Sequence, residues 1–323
     1  MKKILILGVN SFSGSSFAKF IQSKNFKLFG FYHKEKNKKY IIYNKKKILL
    51  KKVNNLNEKL LIKLVKDIKP NIIIDFASIC MVNESWKYKN YYNQVNYKSK
   101  VKLANLLSRE SFLEKYIYIS TPEIFGSQKN ITEKTKKFNP STPYAYSKLN
   151  AEKLFSNMNK KKNFPIIICR FSNFYGPGQP IYRLIPKACI SADKNQIFPL
   201  HGDGSTKRNF IFTDDFCDGI FKTIKKGKVG DIYHFSGNEI VSIKEIVKTI
   251  YKIKKKEFKR FVKITKDRVK KDKIYFLSSK ITQKTLNWRC KVTLAKGLDK
   301  TIKFYKKNFT YLKYEKNYYK FEK

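Results

Sequence analysis

The sequence predicts an α/β fold, with a doubly wound parallel sheet followed by a smaller C-terminal α/β domain. Short, continuous apolar strands alternate with amphipathic helices through the first half of the chain, as in parallel sheets covered by helices on both faces. From Gly176 onward, prolines and short segments replace this alternation. We therefore expect a first domain over residues 1–175, rejoined by a segment near 209–236, and a second domain over residues 176–323.

The composition is that of a globular protein with an unusual charge. Of 323 residues, 42% are hydrophobic and 15% aromatic, but 71 lysines and arginines stand against 24 acidic residues, which gives a net charge of +47. Such a charge is one signature of nucleic-acid or anionic-surface binding. The lysines run through the whole chain, however, and Asn, Ile, Tyr and Phe are abundant too. These residues share A/T-rich codons, so biased coding explains the charge better, and we expect no nucleic-acid partner.

The cysteines and the apolar runs of the sequence indicate the cellular location of the protein. The five cysteines are scattered without a Cys-x-x-Cys pair, and there are three histidines. We expect reduced thiols, a cytoplasmic location and no metal site. The apolar run Ile4–Leu7 ends at Gly8, too soon for a signal peptide. No run approaches the length of a membrane span, so we expect no membrane association.

The first strand, Ile4–Leu7, runs into a turn with a glycine at each end, Gly8 to Gly14, and then into an amphipathic helix. Strand, glycine turn and helix form the Rossmann arrangement, in which the pyrophosphate of a dinucleotide lies at the helix N-terminus. A structural turn without a ligand is the alternative. The predicted cofactor contacts in this turn are Gly8, Asn10, Ser11, Phe12 and Gly14.

The second strand, Phe26–Phe31, bears on the choice of cofactor. An NAD-selective site usually has a carboxylate at the end of this strand, where it binds the ribose hydroxyls. Here Tyr32, His33 and Lys34 follow the strand, and their basic groups suit a 2′-phosphate. We expect either NAD or NADP as the cofactor, with a slight preference for NADP and a contact from His33.

The later strands of the first domain place small or polar residues at their carboxyl ends, where ligands of doubly wound sheets bind. Ala77 and Thr121 follow two of them, as Gly8 follows the first. We expect Asn55, Leu56 and Ala77 to line the cofactor site. The other predicted elements are the strands Ile48–Val53, Ile72–Ile74, Tyr116–Ile119 and Ile166–Cys169 and the helices Leu60–Ile68, Asn96–Leu107 and Tyr144–Phe155, with a further helix capped by Ser242.

Tyr144 and Lys148 lie four residues apart at the start of a helical pattern, so their side chains share one helix face. A lysine ammonium beside a phenol favours the phenolate and lowers its pKa. Tyr144 is therefore a candidate base near neutral pH. The plainer interpretation is a surface tyrosine near one of many lysines.

Motifs spread over nearly the whole chain resemble those of one family. They are Gly8–Gly14, Ser120–Gly126, Pro143–Lys148, Arg170–Pro177, Leu184–Pro186, Gly202–Gly204 with Arg208, and Leu286–Trp288. On these motifs the chain resembles the extended short-chain dehydrogenase/reductase family of nucleotide-sugar enzymes, the NAD-dependent epimerases/dehydratases. Within this family it is most similar to the dTDP-glucose 4,6-dehydratases.

The resemblance implies a reaction with named roles. A sugar nucleotide is oxidised at C4, loses water from C5 and C6, and receives hydride back at C6 from a recycled cofactor, which leaves a 4-keto-6-deoxy product. Tyr144, with Lys148, takes the O4 proton, Thr121 hydrogen-bonds O4, and Glu123 removes the C5 proton.

The resemblance also implies substrate contacts and a partner. Asn173 and Arg208 bind the diphosphate, Arg183 and Arg268 are further substrate contacts, and the second domain binds the substrate. The helices 96–107 and 144–155 resemble the pair that forms the four-helix interface of a homodimer.

The sequence departs from the family pattern at four positions. Ser11 replaces a glycine and is expected to crowd the pyrophosphate. Asn55 and Asn209 stand where aspartates are usual, and Asn55 is expected to weaken cofactor binding. Pro122 stands where these dehydratases have an aspartic acid, so the proton for the leaving C6 hydroxyl must come from elsewhere.

Other functions stay open. One is a sister enzyme, either a 4-epimerase or a UDP-glucuronate decarboxylase, which needs a cation such as Arg183 at the substrate carboxylate. Glu123 favours the dehydratase, because the related 4-epimerases have Ser or Ala there. The less expected alternative is a non-catalytic anion- or RNA-binding protein on the same fold.

Overall fold

The computed structural model describes residues 1–35, 40–54, 56–267, 272 and 274–312. Its strands are short and occur along most of this length. They are β1 (Lys3–Leu7), β2 (Lys27–Tyr32), β3 (Leu49–Lys52), β4 (Ile72–Asp75), β5 (Lys115–Ser120), β6 (Gln128–Ile131), β7 (Ile166–Phe171), β8 (Asn173–Tyr175), β9 (Phe198–His201), β10 (Lys207–Phe212), β11 (Ile232–Phe235), β12 (Ile240–Ser242), β13 (Val262–Thr265) and β14 (Tyr275–Leu277).

Helices fill most of the connections between the strands. They are α1 (Phe12–Ile21), α2 (Glu58–Ile68), α3 (Val82–Lys87), α4 (Lys89–Asn93), α5 (Ser99–Leu107), α6 (Pro143–Lys162), α7 (Leu184–Asp193), α8 (Thr213–Lys226), α9 (Ile243–Ile253), α10 (Phe258–Phe261), α11 (Lys280–Leu286), α12 (Leu294–Lys307) and α13 (Phe309–Leu312). Short 3₁₀ turns lie at Lys45–Lys47 and Pro122–Phe125, and a π turn at Gln94–Lys98 joins α4 to α5. No helix in the described ranges is long and apolar enough to cross a membrane.

Seven strands form one parallel sheet in the order β11-β7-β5-β4-β1-β2-β3. From β1 the chain proceeds outward to β3, then crosses to β4 and proceeds outward in the other direction. The reversal between β1 and β4 is a switch point, where the carboxyl ends of the strands leave a crevice for a ligand. The predicted doubly wound, Rossmann-type sheet is confirmed.

Burial on both faces of the sheet explains the continuous apolar strands. Successive residues of a strand point to opposite faces. Ile4 and Ile6 pack into a core shared with α1 and α8, whereas Leu5 and Leu7 pack into a core shared with α2, α5 and α6. Each of the four is at most 1% exposed. The sheet is therefore anchored from both sides around β1.

Three smaller sheets accompany the central one in the described chain. Their orders are β12-β10-β8, β13-β9 and β14-β6, and a third core lies among α7, α9 and α12. β11, which follows α8, pairs with β7 in the central sheet. The pairing of β14 with β6 places Tyr275 opposite Gln128, close to the turn Pro122–Phe125.

The helix predicted to begin at Asn96 begins earlier. α4 begins at Lys89 and continues through the π turn into α5. Asn90 and Asn93 are polar, so the apolar period that reveals a helix in sequence starts only later. Asn96 lies in the π turn and is completely buried. Such turns within helices are frequent at functional sites.

A buried arginine joins three elements behind the site. Arg170 of β7 binds Glu152 of α6, with Nη2 2.6 Å from Oε2, and its guanidinium lies 4.9 Å from the centroid of the Phe125 ring. The His234 Nε2 of β11 lies 3.1 Å from Arg170 Nη1. Burial, together with the Arg170 charge, holds the pKa of His234 well below its ordinary value, so His234 is neutral. This network fixes α6 against the turn that carries Glu123.

Candidate active site

The turn after β1 brings backbone atoms closer together than side chains allow. Gly8 has φ +76°, and a Cβ there would lie 3.1 Å from the backbone of Ala77. A Cβ on Gly14 would lie 2.3 Å from the Gly8 carbonyl oxygen. Both positions therefore require glycine. These close contacts shape the turn at the N-terminus of α1, called the cofactor cradle below, and backbone N–H groups at such a helix end suit the pyrophosphate of NAD or NADP.

Ser11 is the N-cap of α1. Its Oγ accepts a hydrogen bond from the Gly14 N–H at 2.9 Å and lies 3.2 Å from the Ser13 Oγ. The sequence suggested that this side chain crowds the pyrophosphate, but its hydroxyl turns back onto the helix end. A serine cap typically stabilises a helix by about 1 kcal/mol. The substitution of glycine by Ser11 therefore has a local structural role.

Asn10 and Phe12 tie the turn to its surroundings. The Asn10 Nδ2 donates to the Lys34 carbonyl oxygen at 3.3 Å, and its Oδ1 accepts from the Tyr43 hydroxyl at 2.9 Å. Phe12 stacks on Phe174, with ring centroids 4.7 Å apart. Asn10 thus holds the turn against the end of β2, and Phe12 holds it against the segment that follows β7.

The basic residues His33 and Lys34 follow the end of β2. His33 is exposed, and its partial burial and the charge of Lys34 lower its pKa. The Leu56 N–H donates to the Asn54 Oδ1 at 2.9 Å, which shapes the entry into α2. Asn55 lies outside the described residues, so its expected effect on cofactor binding stays a prediction.

Three predicted catalytic residues meet where β5 ends. The Thr121 Oγ1 caps the 3₁₀ turn by accepting from the Glu123 N–H at 3.3 Å. Thr121 also hydrogen-bonds the hydroxyl of Tyr144, in the first turn of α6. Glu123 lies close enough for its charge to act on that hydroxyl. Capping of α6 by Thr142, whose Oγ1 accepts from the Ala145 N–H at 3.2 Å, fixes the helix start that presents Tyr144.

Lys148, the fourth predicted catalytic residue, is buried one turn further along α6. Its Nζ donates to the Ile119 carbonyl oxygen at 2.7 Å and to the Ser78 Oγ at 3.1 Å. The same Nζ lies 4.1 Å from the centroid of the Tyr118 ring. Burial lowers the pKa of Lys148 to about 7, although the charge of Asp75 opposes this shift.

The expected lowering of the Tyr144 pKa by Lys148 is not found in this geometry. Burial raises the pKa of Tyr144 well above its ordinary value, and the charges of Glu123 and Cys80 raise it further. The cation that lowers it is Arg183. A spacing of four residues places the two side chains on one helix face, but the ammonium then binds a carbonyl and a hydroxyl. Tyr144 is therefore protonated near neutral pH in this structure.

Asn173 and Arg208 lie in one cluster, which Tyr275 holds together. The Tyr275 hydroxyl donates to the Asn173 Oδ1 at 2.8 Å, and the guanidinium carbon of Arg208 lies 4.0 Å from the Tyr275 ring centroid. Arg208 Nη2 donates to the Asp272 carbonyl oxygen at 2.5 Å. Amide and guanidinium donors of this kind suit phosphate oxygens. Arg268 lies outside the described residues.

Arg183 lies with the predicted catalytic residues and not in this cluster. It immediately precedes α7, and its Nη2 donates to the Cys80 Sγ at 2.8 Å. Its charge also acts on Tyr144. Of the predicted substrate contacts that the structure describes, Arg183 is the one whose charge acts on Tyr144.

Asn209 has a structural explanation. Its Nδ2 donates to the carbonyl oxygens of Gly237 and Glu239, each at 3.1 Å. An aspartate has no proton to donate in its ionised form, so it could not make these two bonds. The asparagine holds the loop that follows β11.

Sequence reasoning missed Asn96, which ties α6 to the segment that follows β4. The Asn96 Oδ1 accepts from the Ile79 N–H at 2.9 Å, and its Nδ2 donates to the Ile79 carbonyl at 3.0 Å and the Ser147 Oγ at 3.1 Å. Ser147 in turn donates to the Tyr144 carbonyl at 2.7 Å. A polar residue on the apolar face of a predicted helix was the available signal. Tyr275 had no comparable signal.

Comparison with known proteins identifies the family. The model of the NAD dependent epimerase/dehydratase family matches residues 4–235. The chain belongs to this family. The family predicted from the motifs, and with it an enzyme of the epimerase/dehydratase class, is confirmed.

The individual relatives include dehydratases and an epimerase. A dTDP-D-glucose 4,6-dehydratase of Homo sapiens is 32% identical over 248 residues, which cover 75% of this chain and 70% of the relative. The crystal structure of dTDP-glucose 4,6-dehydratase from Bacillus anthracis str. Ames in complex with NAD is 27% identical, with a TM-score of 0.86, and the match covers 96% of this chain and 98% of that one. A UDP-glucuronic acid 4-epimerase from Bacillus cereus, in complex with UDP-glucuronic acid and NAD, shares the fold at 24% identity, with a TM-score of 0.87 and coverage of 94% and 99%.

Proposed function

We propose that this protein is a nucleotide-sugar 4,6-dehydratase, which converts a sugar nucleotide such as dTDP-glucose into a 4-keto-6-deoxy sugar nucleotide. The observation that carries the proposal is the position of Glu123 in the turn that Thr121 caps, where its charge acts on Tyr144. Loss of water from C5 and C6 needs a base at C5, whereas simple epimerisation at C4 does not. The names of the human and Bacillus anthracis relatives support the same reaction.

The cradle of Gly8 and Gly14 holds the pyrophosphate of NAD or NADP, and Ala77 and Lys148 lie toward the reacting end. When bound, the cofactor would supply the reversible hydride transfer that links oxidation at C4 to reduction at C6. The expected preference for NADP rests on His33 and Lys34, which lie at the expected ribose end of the site. The name of the Bacillus anthracis structure supports NAD.

The protein's own contribution to the first step is proton transfer. Thr121 orients the sugar O4 by a hydrogen bond, and Tyr144 takes its proton. Burial and the charge of Glu123 keep Tyr144 protonated, so its own proton must first pass to water, which leaves the phenolate that accepts the O4 proton. Arg183 supplies the positive charge that favours this loss. Once C4 is a ketone, the C5 proton is acidic, and Glu123 removes it.

Pro122 limits the loss of water from C5 and C6, because it cannot act as the acid in that step. It is buried at the first position of the 3₁₀ turn, where its fixed φ suits a helical start. It has no proton to give to the C6 hydroxyl as that group leaves. We assign both tasks to Glu123, which takes the C5 proton and passes it to the C6 oxygen directly or through one water.

A second candidate function rests on Arg183. A guanidinium beside Tyr144 is the cation that a UDP-glucuronate decarboxylase needs at the substrate carboxylate, because its planar donors match a carboxylate. Incubation with dTDP-glucose, UDP-glucose and UDP-glucuronate, followed by NMR, separates the reactions. A 4-keto-6-deoxy product supports the dehydratase, a C4 epimer the epimerase, and a pentose nucleotide with CO₂ the decarboxylase. RNA binding with a steep salt dependence and no turnover would leave the non-catalytic alternative.

The two half-reactions should separate by mutation. Tyr144→Phe should slow C4 oxidation by roughly 100-fold or more, because it removes the proton acceptor. Glu123→Gln should spare C4 oxidation and block loss of the C5 proton. Absorbance of the reduced nicotinamide measures the first step, and exchange of the C5 hydrogen in heavy water measures the second. Tyr146→Phe, at an exposed position of the same helix, is the matched control. Exchange at the parent rate in Glu123→Gln would refute the role of Glu123.

Elimination should be slow in the parent protein and faster in Pro122→Asp. General-acid assistance is commonly worth about 100-fold or more, so the parent should accumulate reduced cofactor transiently, as seen by stopped-flow absorbance. Pro122→Asp should shorten or abolish this transient, whereas Pro122→Asn, which lacks the acidic proton, should keep it. A parent without the transient contradicts elimination-limited turnover.

Either NAD or NADP should serve as cofactor, with NADP bound somewhat more tightly. Mass analysis of cofactor released from the purified protein gives the natural occupant, and titration gives both dissociation constants. Lys34→Met should weaken NADP binding more than NAD binding, since only NADP carries the 2′-phosphate. Release of NAD alone, together with equal effects of Lys34→Met on NAD binding and NADP binding, would contradict the predicted preference for NADP.

We also infer a cytoplasmic homodimer. The cytoplasmic location is supported by the five cysteines, all of which carry free thiols. The dimer is supported by an open groove of about 760 Å³ between α3–α4 and α6, lined by Trp86, Tyr146 and several amides. Tyr146 is 55% exposed there, and exposed aromatic surface favours a partner. Sedimentation at micromolar concentration should give a dimer, and Tyr146→Glu should shift it toward monomer. A monomeric parent contradicts the inference.

A further inference from the structure

A buried ion pair lies beneath the cofactor edge of the sheet, and the proposed reaction does not use it. Lys100 of α5 is 2% exposed, and Asp75, the last residue of β4, is completely buried. The Lys100 Nζ lies 2.8 Å from the Asp75 Oδ1 and 2.7 Å from its Oδ2. The Tyr116 hydroxyl donates to the same Oδ2 at 2.6 Å. Both carboxylate oxygens are thus fully engaged.

Stability alone is a poor explanation for this pair. Removal of two charges from water is costly, and apolar residues of similar volume often stabilise a core as well or better. Neighbouring positions on the same side of α5 carry such residues, Leu103, Ala104 and Leu107, and all three are buried. The distinguishing feature of Lys100 is the third contact that its ammonium makes.

That third contact is with Ala77. The Lys100 Nζ donates to the Ala77 carbonyl oxygen at 2.8 Å, and the Asp75 Oδ1 accepts from the Ala77 N–H at 3.0 Å. Both backbone polar groups of Ala77 are therefore held by the pair. Ala77 is also the residue whose backbone lies against Gly8, with 3.1 Å between its atoms and a Cβ built on Gly8. The pair fixes the wall of the cofactor cradle.

Ser78, the residue after Ala77, connects this segment to Lys148. The Ser78 Oγ accepts from the Lys148 Nζ at 3.1 Å. Lys148 also responds to the charges of the pair: Asp75 raises its pKa and Lys100 lowers it. The other groups that face Lys148 are Glu152 on its own helix, Cys80 after β4, and the Tyr118 ring of β5.

We propose that Lys100 and Asp75 are positioning residues, which together fix the Ala77–Ser78 segment between the nucleotide turn and Lys148. Neither residue touches the reacting atoms. Asp75 orients the N–H and Lys100 the carbonyl of Ala77, and the opposite charges of the pair balance each other at Lys148. The inference rests on the proposed function only in that a nicotinamide dinucleotide occupies the cradle.

The test measures NAD and NADP binding, at several pH values, to the parent, Lys100→Met and Asp75→Asn. A protonated Lys148 makes a stronger hydrogen bond to Ser78 than a neutral Lys148 does, because charge-assisted hydrogen bonds are stronger than neutral ones. The affinity for NAD and NADP should therefore fall as the pH rises through the Lys148 pKa, which is about 7 in the parent. Lys100→Met leaves Asp75 unbalanced and should move this midpoint to higher pH. Asp75→Asn leaves Lys100 unbalanced and should move it to lower pH. Opposite shifts cannot come from loss of stability alone.

The double variant Asp75→Asn/Lys100→Met keeps the test decisive if a single variant folds poorly. It buries no unpaired charge, so its Tm should exceed that of Lys100→Met, and its pH midpoint should return toward that of the parent. Its dissociation constant for NAD should still rise about tenfold, because the Ala77 carbonyl has lost its charged donor.

Lys254→Met is the matched control. Lys254 is a largely buried lysine whose Nζ lies 2.6 Å and 2.8 Å from the two carboxylate oxygens of Asp193, away from the site. It should lower the Tm and leave NAD binding unchanged.

Parent-like NAD affinity in Lys100→Met, or midpoint shifts of the same sign in both single variants, would overturn the proposal. A parent that binds NAD but turns over no sugar nucleotide contradicts the proposed function alone.

Discussion

Balanced burial of charge behind the carboxyl edge of the sheet is the constraint on which the rest of the site depends. Lys148 is 2% exposed and Glu152, one turn along α6, is 3% exposed. An unpaired buried charge costs several kcal/mol, so each of these groups needs a fixed partner. Arg170 holds Glu152, and Arg170 also lies over Phe125 in the catalytic turn. The groups proposed to exchange protons therefore face a framework that electrostatics keeps in place.

The sequence predicts those parts of the protein whose physics is local. Two-sided burial makes β1 and β4 continuous apolar runs, and a close backbone approach makes Gly8 and Gly14 necessary. The Tyr144–Thr121–Glu123 group could be predicted because its residues follow one strand and begin one helix. Tyr275 is different: it lies 102 residues from its partner Asn173, and only the pairing of β14 with β6 brings it there. No local pattern contains that information.

The side chain of Lys148 marks the limit of pattern arguments. Helical spacing specifies a face, but a lysine Nζ lies several bonds away from its Cα and binds whatever acceptor burial leaves unsatisfied. Here the acceptors are the Ile119 carbonyl and the Ser78 hydroxyl. Burial then dominates the electrostatics and drives the pKa values of Lys148 and Tyr144 in opposite directions. The sequence predicts which residues meet, and only the structure shows which protons they carry.

Several of the few acidic residues of the chain have roles in the fold that a lysine could not take over. Asp215 accepts the Val292 N–H at 2.8 Å, Glu245 completes the capping box of α9, and Glu152 and Asp75 neutralise buried cations. Each of these acids satisfies a donor that no lysine could satisfy, since an ammonium accepts no hydrogen bond. The acids named here are therefore tied to the fold.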